Sequence, residues 1–209
     1  MPSLFEGIKQ NGYTTKFVNT SYKDVIAKQS IQKREQMPRK IHDKIIQKAY
    51  QSKYENGVAF DTARALGLRA SEITNLKVKD FKANSEEKVE QVHIHRSKGG
   101  RNRDINTYKL SVEQQNTVQR TYDTFKQSRA ENERLFTNKT QSYEKAFSRA
   151  RDKVSSNYTH CGIHSMRKEF AKDYYNRELE KGRNDKEVKL ELTQLLGHNR
   201  LEILESYLK

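Results

Sequence analysis

Polar side chains toward the end of the sequence are of the kinds that can act on a phosphate ester. His164 and Arg167 are three residues apart, so on a helix they share one face and can reach the same phosphate. A Leu-Gly-His phrase ends at His198, and Tyr207 follows nine residues later. A tyrosine oxygen is a nucleophile, while arginine and histidine side chains stabilise the charge that develops on an attacked phosphate. These residue types favour cleavage of a phosphodiester without a metal ion.

A second cluster lies earlier, in the phrase Gly-Leu-Arg-Ala-Ser-Glu of residues 67–72. Arg69 follows the turn that Gly67 predicts, and Glu72 lies three residues later, where its carboxylate can hold the guanidinium. An arginine held in this way presents a planar fork of donors to phosphate oxygens. We interpret Arg69 as a phosphate ligand and Glu72 as its support.

Residues 96–103 concentrate four cations around a Gly-Gly pair and predict a basic hairpin tip. Such a tip can enter a groove of DNA and bring an ammonium group to a phosphodiester. Lys98 is the candidate proton donor for the leaving oxygen, and Arg96, Arg101 and Arg103 are candidate DNA contacts. Taken alone, the pattern fits plain binding to the DNA backbone equally well.

Zinc binding is an alternative interpretation of some of these residues. His160, Cys161 and His164 are close in sequence, but the second cysteine pair of a typical structural zinc site is missing. We expect His93 and His95 to lie on an exposed strand face rather than on a metal, because residues two apart on a strand point to the same side. We therefore expect no metal site in this protein.

The charge balance indicates a polyanionic partner. The chain has 209 residues, with 41 Lys and Arg against 27 Asp and Glu, and a formal net charge of +14. Such an excess is typical of proteins that neutralise phosphates. The single cysteine cannot form an internal disulfide, and no apolar stretch near the N-terminus is long enough for a signal peptide or a membrane span. We expect a cytoplasmic, intracellular protein with no membrane partner.

The spacing of apolar residues predicts a mainly α fold with a small antiparallel β-sheet, of the α+β class. Periods near 3.6 predict helices over residues 41–50, 58–66, 111–130, 142–153, 164–179, 185–196 and 199–208. Gly67 is expected to close the second of these, and Ser71 to cap a further short helix. Between residues 76 and 108 the period shifts to two, with Val92 and Ile94 on one face, which predicts the sheet.

Pro38 marks a boundary, because the residues before it are polar and basic with weak periodicity and a clear helical pattern follows. We therefore expect a basic N-terminal arm or linker over residues 1–37 and one catalytic domain over residues 38–209.

Six residues, taken in order, resemble the signature of the tyrosine recombinase (phage integrase) family: Arg69, Lys98, His164, Arg167, His198 and Tyr207. The resemblance extends over the predicted catalytic domain and implies the fold of that family. It also implies double-stranded DNA as the partner, self-association on DNA as a dimer or tetramer, and no cofactor.

The resemblance further implies a mechanism. Tyr207 would attack the scissile phosphate to give a 3′-phosphotyrosyl link, and Lys98 would protonate the leaving 5′-oxygen. The arginines of the signature would clamp the nonbridging oxygens, and its histidines would bind the phosphate and assist proton movement. Glu72 matches the supporting acidic position of the family. The chain is thus expected to be a DNA strand-transferase that acts in recombination or integration.

Several features depart from the family pattern. Typical members carry a helical core-binding domain of roughly one hundred residues before the catalytic domain, whereas only some 37 residues precede the helical pattern here. This fits either an excised fragment or a short member of the family that works with its catalytic domain alone. Lys168 stands where a histidine is common, residues 176–189 are longer and more charged than usual, and only Leu208 and Lys209 follow Tyr207. Two alternatives therefore stay open: a topoisomerase-like DNA relaxer that uses the same residues, and a DNA-binding accessory protein with vestigial catalytic residues.

Overall fold

The computed structural model describes residues 36–95, 101–198 and 201–208. In these ranges the helices are α1 Arg39–Ser52, α2 Tyr54–Leu66, α3 Ala70–Ile73, α4 Val112–Phe125, α5 Thr140–Val154, α6 His164–Glu180, α7 Asp185–Leu196 and α8 Leu201–Leu208. The strands are β1 Phe81–Ala83, β2 Val89–Ile94 and β3 Arg103–Asn106, and short 3₁₀ turns lie at Val78–Asp80 and Thr107–Lys109. The predicted fold class, mainly helical with a small antiparallel sheet, is confirmed.

Helix α2 lies at the centre of the domain and packs against α1, α4 and α6. Its apolar side chains over residues 58–66 are buried, and it ends at Gly67, whose φ of +60° is left-handed as predicted. A Cβ at Gly67 would lie 2.5 Å from the ring of Phe170 on α6. The turn therefore requires glycine both for its backbone angle and for its close approach to α6, and it delivers the chain to Arg69.

The prediction that Ser71 caps the next helix is wrong. Helix α3 begins at Ala70, and the carbonyl of Arg69 accepts hydrogen bonds from the backbone N–H groups of Glu72 and Ile73, at 2.9 and 3.1 Å. The carboxylate of Glu72 in turn accepts the backbone N–H of Arg69 at 2.9 Å. This reciprocal bonding fixes the helix start at Arg69 and leaves Ser71 inside the helix.

The sheet has the order β1-β2-β3, and both strand pairs are antiparallel. Val92 and Ile94 are buried on one face as predicted, and Val92 pairs with Ile105. The expected turn at residues 99 and 100 lies outside the described residues. His93 and His95 are half-buried at this sheet, and each pairs with an aspartate, at 2.6 Å to Asp104 and 2.8 Å to Asp80 respectively.

The remaining helices follow the sequence pattern with shifts at their ends. Helix α7 has the predicted bounds, whereas α4 ends at Phe125 instead of extending to residue 130. The ring of Phe125 packs edge-on against Phe136 at a centroid distance of 5.4 Å, and the chain turns there. No helix in the described ranges is both long enough and apolar enough to cross a membrane.

Candidate active site

The candidate residues meet where the ends of several elements converge. Arg69 and Glu72 come from the start of α3, and Arg103 begins β3. His164 and Arg167 occupy the first turn of α6, so that the predicted pair does lie on one short stretch of helix. The remaining two residues, His198 and Tyr207, come from the turn after α7 and from the last turn of α8.

Tyr207 is 6% exposed and lies between two histidines. Its hydroxyl oxygen is 2.8 Å from Nε2 of His164. Its ring meets the rings of His164 and His198 edge-on, at centroid distances of 5.2 and 5.0 Å. The ammonium of Lys168 lies 5.9 Å from the centroid of the Tyr207 ring. Leu204, one turn earlier on α8, is buried and anchors the helix in the core.

Arg167 is fully buried and joins the ends of two helices. Its Nη1 donates to the carbonyl of Gly67 at 2.6 Å, after α2, and its Nη2 donates to the carbonyl of Leu196, the last residue of α7. Carbonyls at a helix C-terminus lack partners within the helix and carry partial negative charge, so a guanidinium stabilises both ends. Burial lowers the pKa of Arg167 to about 10, which leaves it charged at neutral pH.

The Arg167 contact also determines the tautomer of His198. Nη2 of Arg167 lies 3.0 Å from Nε2 of His198. Because a guanidinium only donates, Nε2 must accept and the ring proton lies on Nδ1. That Nδ1 is buried and, like Nε of Arg167, has no hydrogen-bond partner among the described residues. Buried donors without an acceptor are costly, so these two are suited to an oxygen-rich ligand.

Glu72 is the carboxylate around which the arginines gather. Its side chain is fully buried; Arg69 donates to it from Nη1 at 2.8 Å, and Nη1 of Arg167 is 3.6 Å away. Arg103 binds both carboxylate oxygens, each at 3.0 Å. Burial on its own would raise the pKa of Glu72, but the hydrogen bonds and charge of Arg103, with the charge of Arg167, lower it to about 2.

The structure corrects the interpretation of Arg103 as a DNA contact. Only 6% of its side chain is exposed, and all three guanidinium nitrogens donate to protein oxygens: the two terminal ones to Glu72, and Nε to the carbonyl of Leu195 at 2.6 Å. The alternation of inward and outward side chains along β3 could have predicted that Arg103 is buried. Ile105 faces the core, so the residue two positions before it on the same strand faces inward as well.

Both histidines are neutral at ordinary pH. Desolvation and the charge of Arg167 lower the pKa of His164 to about 4 and that of His198 to about 3. His164 as a residue is exposed, but the ring edge that carries Nε2 is covered by Tyr207. A neutral His164 can accept the phenolic hydrogen of Tyr207, which is the geometry of a nucleophile beside its base.

The described structure adds none of the other predicted residues to this cluster. Lys98 and Arg96 lie outside the described residues. Arg101 is exposed at the approach to β3. Across the ranges 36–95, 101–198 and 201–208, no three His, Cys, Asp or Glu side chains come together as a possible metal site, so His160, Cys161 and His164 do not form one there.

One contact of Tyr207 was not anticipated from the sequence. Nε2 of Gln36, just before α1, donates to the backbone carbonyl of Tyr207 at 3.2 Å, and Nζ of Lys172 donates to Oε1 of Gln36 at 3.1 Å. The carbonyl belongs to the last turn of α8, where the helix supplies no partner. Nothing in the local sequence indicates a contact across 171 positions, so only the fold reveals it.

Comparison with known proteins agrees with this fold and identifies the family. Residues 30–209 match the model of the phage integrase family, so the chain belongs to that family. No curated protein matches the chain in sequence.

Solved structures share the fold at low sequence identity. A lambda integrase (75-356) dimer bound to a COC′ core site has a TM-score of 0.61 and 17% identity, covering 84% of this chain and 59% of that one. XerA recombinase has a TM-score of 0.57 and 19% identity, with 83% and 58% covered. The lambda integrase catalytic core has a TM-score of 0.57 and 22% identity, with 80% and 93% covered. The chain thus spans less than two thirds of the first two proteins.

Proposed function

We propose that this chain is a tyrosine site-specific recombinase or integrase that cuts and rejoins double-stranded DNA through a 3′-phosphotyrosyl intermediate. One observation carries the proposal: the hydroxyl of Tyr207 lies 2.8 Å from Nε2 of a neutral His164, within a cluster of buried arginines. A nucleophile, a proton acceptor and fixed positive charge are what attack on a phosphodiester needs.

The cleavage step balances without a cofactor. The Tyr207 oxygen bonds to phosphorus, its proton moves to Nε2 of His164, and the bond from phosphorus to the 5′-oxygen breaks. Lys98 is proposed to give that oxygen its proton. The covalent link conserves the energy of the phosphodiester, so a 5′-hydroxyl can attack the phosphotyrosine, release the tyrosine and rejoin a strand.

The phosphate is proposed to bind to donors that the protein itself leaves unpaired. The buried Nδ1 of His198 and Nε of Arg167 have no hydrogen-bond partner among the described residues. Arg69 lies beside them with 21% of its side chain exposed. Because Tyr207 is only 6% exposed, DNA binding must shift its ring or helix α8 before the phosphate can reach these groups.

The wider setting of the proposal rests on charge and on the relatives. The net charge of +14 suits a DNA duplex. The matched lambda integrase structures include a dimer on a core site and a tetramer on a Holliday junction, and we propose that this chain also self-associates on DNA. Residues 1–37 are proposed to serve as an arm or linker, residues 38–209 as the catalytic domain, and the protein to act in the cytoplasm on intracellular DNA.

Trapping of the covalent intermediate tests the proposal. The chain is incubated with nicked duplexes whose sequence around the nick is randomised, so that the short cleaved strand diffuses away and the adduct accumulates. We expect an adduct with wild type and Tyr108→Phe, an exposed tyrosine, and none with Tyr207→Phe at unchanged DNA affinity. An undiminished adduct with Tyr207→Phe overturns the assignment. Tight DNA binding without any adduct favours the accessory-protein alternative.

The leaving group tests the part assigned to Lys98. A thiol ionises near pH 8.5, far below an alcohol, so a substrate with sulfur in place of the bridging 5′-oxygen needs no proton donor. We expect Lys98→Ala to be slow on the ordinary substrate and close to wild type on the sulfur substrate. Equal slowing on both substrates contradicts the role. Relaxation of a plasmid that carries no recombination site would instead favour the topoisomerase-like alternative.

A further inference from the structure

Arg103 touches two of the segments that carry proposed catalytic residues. Its two terminal nitrogens donate to the two oxygens of Glu72, which also pairs with Arg69. Its Nε donates to the carbonyl of Leu195, three residues before His198. Its side chain also packs against Gly197, where an added Cβ would lie 3.2 Å from Cδ of Arg103. The strand β3 is thereby tied to the start of α3 and to the end of α7 at a single buried guanidinium.

We propose that Arg103 is a positioning residue for DNA cleavage, which acts by fixing the Glu72 carboxylate and the turn before His198. The proposal rests on the proposed function of the site. Glu72 has two oxygens and is approached by three arginines. Arg103 takes one oxygen with each arm of its fork and so helps to fix the plane of the carboxylate, together with the backbone N–H and Nη1 of Arg69, which also bond one oxygen each. Arg69 and Arg167 then meet an acceptor of fixed direction.

A lysine cannot replace this arrangement. An ammonium is a point donor on a flexible stem and has no rigid fork to span two carboxylate oxygens. It therefore retains the charge at Arg103 but not the orientation of Glu72. The pair of substitutions Arg103→Lys and Arg103→Met separates the two contributions, because only the first keeps a cation beside the buried carboxylate.

The test compares the rate of cleavage with DNA affinity. Wild type, Arg103→Lys and Arg103→Met are each saturated with the nicked substrate, and the rate of adduct formation is measured well below the unfolding temperature of each variant. We expect both substitutions to slow adduct formation roughly ten- to hundred-fold, with DNA affinity close to wild type. Lys82→Met, which removes an exposed cation from β1, is the matched control and should cleave normally.

A double-mutant cycle shows whether Arg103 acts through Glu72. If it does, Glu72→Gln combined with Arg103→Met is no slower than the slower single variant. In Arg103→Met the Glu72 carboxylate keeps Arg69 and Arg167 as partners, and Arg103→Lys combined with Glu72→Gln completes the cycle if the Met variant does not fold. Independent, multiplying losses would overturn the proposed route through Glu72.

Three other results of these experiments would contradict the proposal, each for a different reason. Wild-type cleavage rates in both Arg103 variants overturn the positioning role, including the case where only the unfolding temperature falls. Loss of DNA affinity in proportion to the rate overturns it too, because that result identifies a DNA contact. Failure of the wild type itself to form an adduct overturns the proposed function, and the role of Arg103 with it.

Discussion

The hydroxyl of Tyr207 lies 2.8 Å from Nε2 of His164, although 43 positions separate the two residues in the chain. Helices α8 and α6 pack against each other and bring them together. Because the pKa of His164 is lowered to about 4, its imidazole is neutral at ordinary pH and can accept the phenolic proton. The nucleophile and its proposed base are therefore hydrogen-bonded to each other in the absence of DNA.

Replacing the proposed base should slow cleavage without weakening DNA binding. In His164→Gln the amide can still bond to Tyr207 but cannot take its proton, so we expect adduct formation to slow roughly a hundred- to ten-thousand-fold. Single-turnover trapping and a DNA-binding titration measure the two effects. His160→Gln, a nearby exposed histidine, is the control. A rate for His164→Gln close to wild type would assign the proton to another acceptor.

Acid should destabilise the domain through His198. The pKa of this buried histidine falls from 6.5 to about 3 on folding, because of burial and the charge of Arg167. The unfolded chain therefore binds more protons between these values, and stability is lost as the pH falls through that window. The change from about pH 7 to about pH 5 should cost about 2 kcal/mol from His198 alone.

Urea unfolding of wild type and His198→Gln at these two pH values measures that contribution. We expect the variant to be less sensitive to pH, because it has no imidazole to protonate. The same sensitivity in both proteins would contradict the low pKa. Glu72 adds to acid sensitivity at lower pH, since its pKa falls from 4.5 to about 2 and its stabilisation is lost as the pH falls through that range.

Gly197→Ala should destabilise the protein and slow DNA cleavage, because Gly197 lies directly before His198 and packs against Arg103. Gly197 has φ of +62°, and a Cβ there would lie 3.2 Å from Arg103. The left-handed conformation costs an alanine about 1–2 kcal/mol, and the contact adds to this cost. Gly162→Ala is a matched control, because a Cβ there meets nothing within 4 Å. Thermal unfolding and cleavage should both fall in Gly197→Ala alone; equal behaviour of the two variants would contradict this prediction.

Gln36→Ala should loosen the end of the nucleophile's helix. The side chain of Gln36 supplies a donor to the Tyr207 carbonyl, and a hydrogen bond of this kind is worth about 1 kcal/mol. An isolated helix as short as α8 is not stable, so its position depends on such contacts. We expect slower cleavage and faster amide exchange in α8 than in Gln47→Ala, an exposed glutamine on α1. Unchanged exchange would show that the buried face of α8 is sufficient.

The sequence predicts most of this architecture because apolar periodicity and glycine are local signals. Helix α7 has the bounds that its apolar spacing predicts, and Gly67 ends α2 as expected. The error at Ser71 has a local cause, since either Arg69 or Ser71 can begin a short helix and the Glu72 carboxylate decides between them.

The site was less predictable than the fold, because its geometry depends on contacts between distant segments. The signature residues were recognisable from their order, and six of the seven proposed catalytic and supporting residues lie in the described structure, where they meet: Arg69, Glu72, His164, Arg167, His198 and Tyr207. Arg103 looked like one more cation of a basic hairpin. Its burial against Glu72 and Leu195 emerges only when β3, α3 and α7 are assembled.

The edge-on contacts of the two histidines also restrict how the Tyr207 ring can move. A phenol ring rotates by half a turn about its Cβ–Cγ bond only when its neighbours withdraw, and here His164 and His198 press on it at centroid distances of 5.2 and 5.0 Å. Ring rotation is therefore coupled to opening of the site. The exchange rate between the two sides of this ring is visible in the line shapes of its NMR signals. It measures how often the two histidine rings withdraw from Tyr207 in the absence of DNA.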